Sequence, residues 1–213
     1  VSGDKNSSGQ ITISGAQSFD NLFLVNGVVV NENLRGQPRN LFIEDAIQET
    51  TVLTGGVSAE YGRFTGGVVS TITKSGGNDF SGSIRDNLTN DSWTEKTDFA
   101  SQADPISHVN HQYEATLGGR IIRDRLWFFG AGRFENRHGS DQTFQTAIPY
   151  STSNKDKRWE GKLTGQITSK HSLVASYLDD QLDRTGVASG RILDLRSLAT
   201  RTEPNSLLAV HYS

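Results

Sequence analysis

His108 and His111 stand three residues apart, with Val109 and Asn110 between them. On a strand or loop that spacing defines no metal site, and no neighbouring carboxylate completes a known ligand pattern. The pair reads as part of a solvated loop. Asp179, Asp180 and Asp183 could hold calcium at a loop mouth, yet they lack the spacing and the glycine of an EF-hand. A solvated acidic patch is the simpler reading. Serines, histidines and aspartates are plentiful, but no spacing links them into a triad. No phosphate loop, dinucleotide fingerprint or nucleophile elbow occurs. Asn6-Ser7-Ser8 and Asn87-Leu88-Thr89 match a glycosylation sequon and carry little meaning alone. The sequence thus offers no recognisable catalytic, cofactor or metal pattern.

Composition narrows the class. Net charge over the 213 residues is -3, so no basic excess points to nucleic acid. Hydrophobic residues make up 34%, low for a dense soluble core, with 22 glycines and 4 prolines. Cysteine is absent, which excludes disulfides and thiolate metal sites. No run approaches the roughly 18 apolar residues of a membrane helix. Barrel strands alternate and score poorly on hydropathy, so a membrane remains open. Val1-Ser2-Gly3-Asp4-Lys5 has no apolar leader core, and any signal peptide is expected upstream or already removed.

The elements that would carry function fall into two grammars. Up to about residue 77 the chain is rich in Gly, Asn and Ser with short apolar bursts. Leu22–Val25, Asn26-Gly27 and Val28–Val30 read as strand, tight turn and strand. Ile43–Ile47 suits one helical turn, Thr50–Thr54 a strand, and Ala59–Gly62 a short turn or helix. Gly66-Gly67 opens a strand over Val68–Thr73, closed by Gly76-Gly77-Asn78.

Beyond Asn78 six longer runs follow: Phe80–Asn90, Asn110–Ile121, Arg125–Arg137, Arg158–Thr168, Ser172–Gln181 and Asn205–Ser213. At about 9–12 residues each they suit tilted membrane-spanning strands. Trp159, Gly161, Leu163, Gly165 and Ile167 alternate with Arg158, Glu160, Lys162, Thr164, Gln166 and Thr168. Tyr113, Ala115, Leu117, Gly119 and Ile121 oppose Gln112, Glu114, Thr116, Gly118 and Arg120. Period two places each set on its own face, one toward lipid and one toward a wet lumen. In the third run Leu126, Phe128 and Phe134 suit lipid, while Trp127 and Phe129 share a face with Arg133 and Glu135. Those two aromatics are expected near an interface or against an enclosed domain. Connections alternate in length, with long ones at about 91–109, 138–157 and 182–204 and short turns between. Long outer loops against short periplasmic turns mark outer-membrane barrels. Trp93, Phe99, Phe144 and Tyr150 fall in the long connections, where they could form a ligand platform or pack loop on loop.

Several segments resemble TonB-dependent outer-membrane receptors, particularly the Oar-like branch. Phe23–Val28 resembles the plug's F-x-I-D-G-V segment, with Asn26 where Asp is usual. Ala46–Gly56 resembles I-E-x-V-E-V-x-x-G. The run Ser58–Val69 with Thr71–Asn78 resembles S-A-E-Y-G-R-x-x-G-G-V-I-N-V-x-T-K-S-G-G-N, the most specific match. Leu117–Ile121 and Asp124–Phe129 resemble the barrel's second strand, turn and third strand, where the family often has Pro at the position of Arg120. The resemblance implies a mainly β architecture: a mixed α/β plug segment over 1–77, then antiparallel transmembrane β-barrel strands over 78–213, a part of a barrel of about 22 strands. Six strands cannot close around a plug, so the sequence is expected to be part of a longer chain.

The resemblance also implies what the chain does: active transport, which requires no covalent chemistry, so no enzyme is expected. A ligand would bind outside and pass the barrel as an inner-membrane TonB-type complex pulls on the plug, through a contact box not in this chain. Outer-membrane lipid would surround the strands. The ligand is open, a surface lipoprotein among the candidates, and the alternative role is adhesion, protein export or cell-cell signalling. Glu60, Tyr61, Gly62, Arg63, Gly66 and Gly67 are expected as structural plug residues. Glu60 and Arg63 are expected to pair with lumen charges such as Glu114, Arg120, Lys162 or Arg133.

Overall fold

The computed structural model describes residues 3–5, 11–32, 36, 43–62, 64–93, 107–143, 146–188 and 194–213. A small hairpin pairs β1 (Gly3–Lys5) with β2 (Ile11–Ile13). Four strands then build a mixed sheet: β3 (Leu22–Val25), β4 (Val28–Val29), β5 (Ile47–Leu53) and β6 (Val68–Thr73), in the order β4-β3-β6-β5. The β3–β4 turn places Asn26 and Gly27 at φ 48° and 78°. Left-handed backbone at both turn positions is what Asn-Gly supplies in a two-residue hairpin. β3 and β6 run parallel, with Leu22 opposite Val68 and Val25 opposite Thr71. All four residues of β3 are buried, as an uninterrupted apolar run requires when both faces are covered. Helical structure among the described residues is limited to 3-10 turns, one of them Glu44–Ala46 within the expected helical turn.

The second part is a six-stranded antiparallel meander: β7 (Ser81–Thr89), β8 (Asn110–Ile122), β9 (Leu126–Gln142), β10 (Pro149–Thr168), β11 (His171–Val187) and β12 (Ala199–Tyr212). Each strand pairs with its sequence neighbour, and β7 and β12 are the open edges. The short turns fall as expected, at Arg123–Arg125 and between Thr168 and His171. No helix among the described residues is long and apolar enough to cross a membrane.

The faces follow the alternation. Along β10 Asp156, Arg158, Glu160 and Lys162 are buried, whereas Lys157, Trp159, Gly161 and Leu163 are exposed. Ile84, Tyr113, Leu117, Ile121, Trp159, Ile167, Tyr177 and Leu208 stand exposed, Ile84 at 92%. A sheet that exposes its apolar face and buries charges under its own N-terminal unit is inverted relative to a soluble sandwich.

The long connections are shorter than the sequence suggests. Residues expected as loops at 138–157 and 182–204 are largely strand: β9 continues to Gln142, β10 starts at Pro149, β11 continues to Val187 and β12 starts at Ala199. In these stretches, such as Ser151–Lys157, polar residues occupy both faces. With neither face required to be apolar, the period-two signal vanishes while the ladder continues, for instance Asn154 opposite both Arg137 and Arg184.

Candidate functional site

The N-terminal unit covers the polar face of the meander, and the seam between them concentrates the buried charge. Two apolar contacts set the spacing. Phe23, Val25 and Val30 pack on Leu178 of β11, which is fully buried. Ile43 and Ala46 pack on Phe129 and Ala131 of β9. Phe129 therefore touches the N-terminal unit, as expected from its shared face with Arg133. Trp127 also turns inward and donates its indole N–H to Asn78 Oδ1 at 2.8 Å.

Between these contacts lies an upper ionic latch. Arg133 of β9 is 8% exposed and donates from Nη1 to both oxygens of Glu44, at 2.8 and 2.6 Å. Its Nη2 donates to Gln112 Oε1 at 3.1 Å and Glu135 Oε2 at 2.9 Å, and Glu114 lies beside its Nε at 3.9 Å. Partial burial pushes the Glu44 carboxyl upward. A hydrogen bond from Glu114, the local backbone and the Arg133 charge outweigh it and hold Glu44 below the usual carboxylate range. One residue on, the Asp45 carboxylate pairs with Arg85 of β7, and the Asp45 carbonyl accepts from Lys74 Nζ at 2.7 Å.

A lower latch is built around Asn26. Its Oδ1 accepts from the Thr73 N–H at 3.0 Å and the Thr73 hydroxyl at 3.1 Å, tying the β3–β4 turn to the end of β6. Lys162 Nζ of β10 donates to the Thr73 carbonyl at 2.6 Å and to Asn26 Oδ1 at 3.4 Å. His211 Nε2 of β12 lies 2.6 Å from the Asn26 carbonyl oxygen. Lys162→Met keeps much of the length but removes these donors from a buried carbonyl. It is expected to weaken docking of the turn by about 1–3 kcal/mol, read as faster amide exchange at Asn26 and Thr73.

The chain enters the meander at Ser75–Phe80, where Asn78 acts as a pin. Its Oδ1 also accepts from the Asp124 N–H at 3.0 Å, its Nδ2 donates to Asp124 Oδ1 at 2.5 Å, and its carbonyl accepts from Arg120 Nη1 at 2.5 Å. This pin was missed in the sequence, where Asn78 reads as a strand terminator. Its available signal was the Asp at position 124 of the facing turn, a residue type that tolerates the left-handed φ of 60° found there.

The expected structural residues separate. Gly66 and Gly67 are buried, and a Cβ on Gly66 would collide with Asn21 Oδ1, one on Gly67 with Ile13 Cγ2 at 2.9 Å. Tyr61 packs on Leu22, Leu24 and Val68. Glu60 is exposed, and Gly62 has open space around it. Arg63 lies outside the described residues. The expected pairing of Glu60 with lumen charges is corrected: Arg133 is engaged by Glu44, Arg120 by Asn78 and Lys162 by Thr73. The acidic partner sits on the 3-10 turn because the packing of Ile43 and Ala46 aims that turn at the wall. Of the aromatics expected in loops, Trp93 is exposed, Tyr150 belongs to β10 and donates to Asp141 Oδ2 at 3.2 Å, and Phe99 and Phe144 lie outside the described residues.

Two family descriptions match along the chain. Residues 1–69 match the TonB-dependent Receptor Plug Domain and residues 72–151 the Outer membrane beta barrel domain. The TonB-dependent transporter Oar of Myxococcus xanthus is 28% identical over 208 residues, covering 80% of this chain and 19% of that protein. The siderophore receptor PirA from Acinetobacter baumannii superposes with a TM-score of 0.71 at 21% identity, over 95% of this chain and 31% of the receptor. The ferric enterobactin receptor PfeA from Pseudomonas aeruginosa, as a mutant in complex with enterobactin, gives 0.69 at 18%, over 95% and 32%. The outer membrane transporter YddB from Escherichia coli gives 0.66 at 15%, over 96% and 30%. The chain thus spans 19% of the curated relative and under a third of the first solved receptor.

Proposed function

Because the chain belongs to the TonB-dependent receptors of the bacterial outer membrane, as a plug and barrel segment homologous to the Oar transporter, we propose that it serves active uptake of an extracellular ligand. The ligand binds from outside, a TonB-type complex pulls the plug from the periplasm, and the plug shifts within a rigid wall. The supporting observation is the seam. Plug and wall meet through Glu44–Arg133, Asp45–Arg85 and Lys162–Thr73 as well as through apolar contacts. A polar seam in a wet pore exchanges its hydrogen bonds for water when it opens, so it suits a part that must move.

We place the plug at residues 1–77 and the first barrel strands at 78–213. Within the plug, Tyr61, Gly66 and Gly67 shape the turn before β6, and Glu60, Gly62 and Arg63 complete that segment. The residues of the seam bind and position, and no covalent step is assigned to them. The test compares strains lacking the full-length receptor with strains lacking the TonB-type partner, scoring uptake of a panel of scarce nutrients. A shared defect in one nutrient supports uptake. Normal uptake of all of them, with loss of a surface protein instead, overturns it in favour of export.

A further inference from the structure

The outward apolar face of the meander carries a hollow of its own. One row across the meander pairs Leu117 with Gly130, Gly130 with Gly161, Gly161 with Tyr177 and Tyr177 with Leu208. Two glycines side by side in the middle of a sheet weaken it and call for a reason. Backbone geometry gives none, because neither is among the positive-φ glycines. Crowding gives none either: a Cβ on Gly161 would meet nothing within 4 Å, and one on Gly130 only backbone oxygens at 3.9 and 4.0 Å. What Gly161 leaves is space. A hollow of about 320 Å³ opens there, walled by Phe128, Leu163, Ala175, Tyr177 and Leu208 with Gly161 as its floor, and the buried Phe129, Lys162 and Ser176 of the inward set reach its lining from beneath.

Its depth follows from the strand. The exposed apolar residues of β10 run from Trp159 to Ile167, and exposed Lys155 and Lys157 lie beyond Trp159. At the usual rise and tilt, eight residues span about 21 Å of membrane normal, close to the apolar band of about 25 Å in outer-membrane barrels. β10 descends toward the periplasmic turn at Ser169-Lys170, so Trp159 marks the outer end. Gly161 sits two residues below it, about 5 Å deeper. The hollow therefore lies in the outer-leaflet half of the band, beside the exposed apolar residues Leu163, Tyr177 and Leu208.

We propose that this hollow is a binding site for a single acyl chain of an outer-leaflet lipid, retained more tightly than the lipids around it. A straight methylene chain entering along the band would fill space that no side chain of this sheet occupies. Each methylene removed from a poorly packed environment gains dispersion contacts with the walls.

The full-length receptor, purified in mild detergent, stripped of lipid and titrated with lipid A, tests this by native mass spectrometry. The wild type is expected to retain one lipid A per barrel through washing. Gly161→Phe, which fills the hollow, is expected to lower that occupancy at least tenfold, while Gly161→Ala retains it. Heat-modifiable gel mobility checks that each variant is a closed barrel, and Tyr177→Ala, which removes a wall, replaces Gly161→Phe should the latter not assemble. Equal retention by wild type and filled variant overturns the site, as does no retention by the wild type. A dimer mass that collapses in Gly161→Phe also overturns it, by naming a second copy as the occupant.

Discussion

Gly76→Val is expected to abolish assembly of the receptor, whereas Gly77→Val, one residue on, is expected to be tolerated. A Cβ at Gly76 would collide with the carbonyl oxygen of Phe128 and lie 2.8 Å from that of Gly119. Both oxygens belong to paired strands, since Gly119 stands opposite Phe128 in the β8–β9 ladder. Neither can retreat without opening the ladder. The linker cannot retreat either, because Asn78 is pinned to Asp124, Trp127 and Arg120. At Gly77 a Cβ meets nothing within 4 Å, and neither glycine has positive φ. The contrast thus isolates close approach from backbone freedom. Overpacking costs about 1–3 kcal/mol where neighbours are side chains that yield, and more against fixed backbone. The measurement is the heat-modifiable band of the full-length receptor in outer membranes. Wild-type amounts of folded Gly76→Val would show that the junction is looser than the geometry states.

Arg133→Leu is expected to free the 3-10 turn from the wall without unfolding the barrel. The substitution leaves Glu44, Glu114 and Glu135 without the guanidinium they share. Removing one partner of a buried pair costs about 3–5 kcal/mol. Glu44 is about half exposed, so water screens part of the loss and the lower end applies. The readout is amide exchange at Ala46 and Lys74, whose N–H groups bond the carbonyls of Ile43 and Ala46. Exchange should quicken on the order of 100-fold, and Glu44→Gln in the same chain should restore part of the protection. Unchanged exchange in Arg133→Leu would remove it as a latch. The pH dependence has a definite sign. A carboxyl held below its ordinary value contributes stability that is full above that value and lost as pH falls through the lowered one. Docking of this turn should be insensitive to pH near neutrality and weaken only in acid below the ordinary carboxylate range.

How far the sequence carries depends on whether a residue's environment is written into its neighbours. The alternation around Trp159 and Tyr113 is local, and it yielded both faces of β8 and β10. Asn26-Gly27 is local too, because the turn needs those residue types. The latches are not local. Glu44 and Arg133 are 89 positions apart, as are Thr73 and Lys162. Nothing in the grammar of either segment names its partner, so the acidic residue of the most distinctive motif, Glu60, drew the pairing instead. Strand ends failed for a third reason. Above the membrane both faces are wet, and the only remaining cue is hydrogen bonding, which composition does not encode.

Under the proposed uptake role, those extended strands change what an arriving ligand would first meet. From Trp159 to Pro149 is ten residues of continuous β10, rising about 25 Å past the lipid. β9 accompanies it to Gln142, which stands opposite Pro149. The outer end of this wall is a stiff ribbon whose shape exists before anything arrives. On the uptake reading proposed above, much of the ordering entropy that a long free loop would lose at capture has already been lost in folding at this hairpin, so recognition there would rest on fixed relief more than on adaptation.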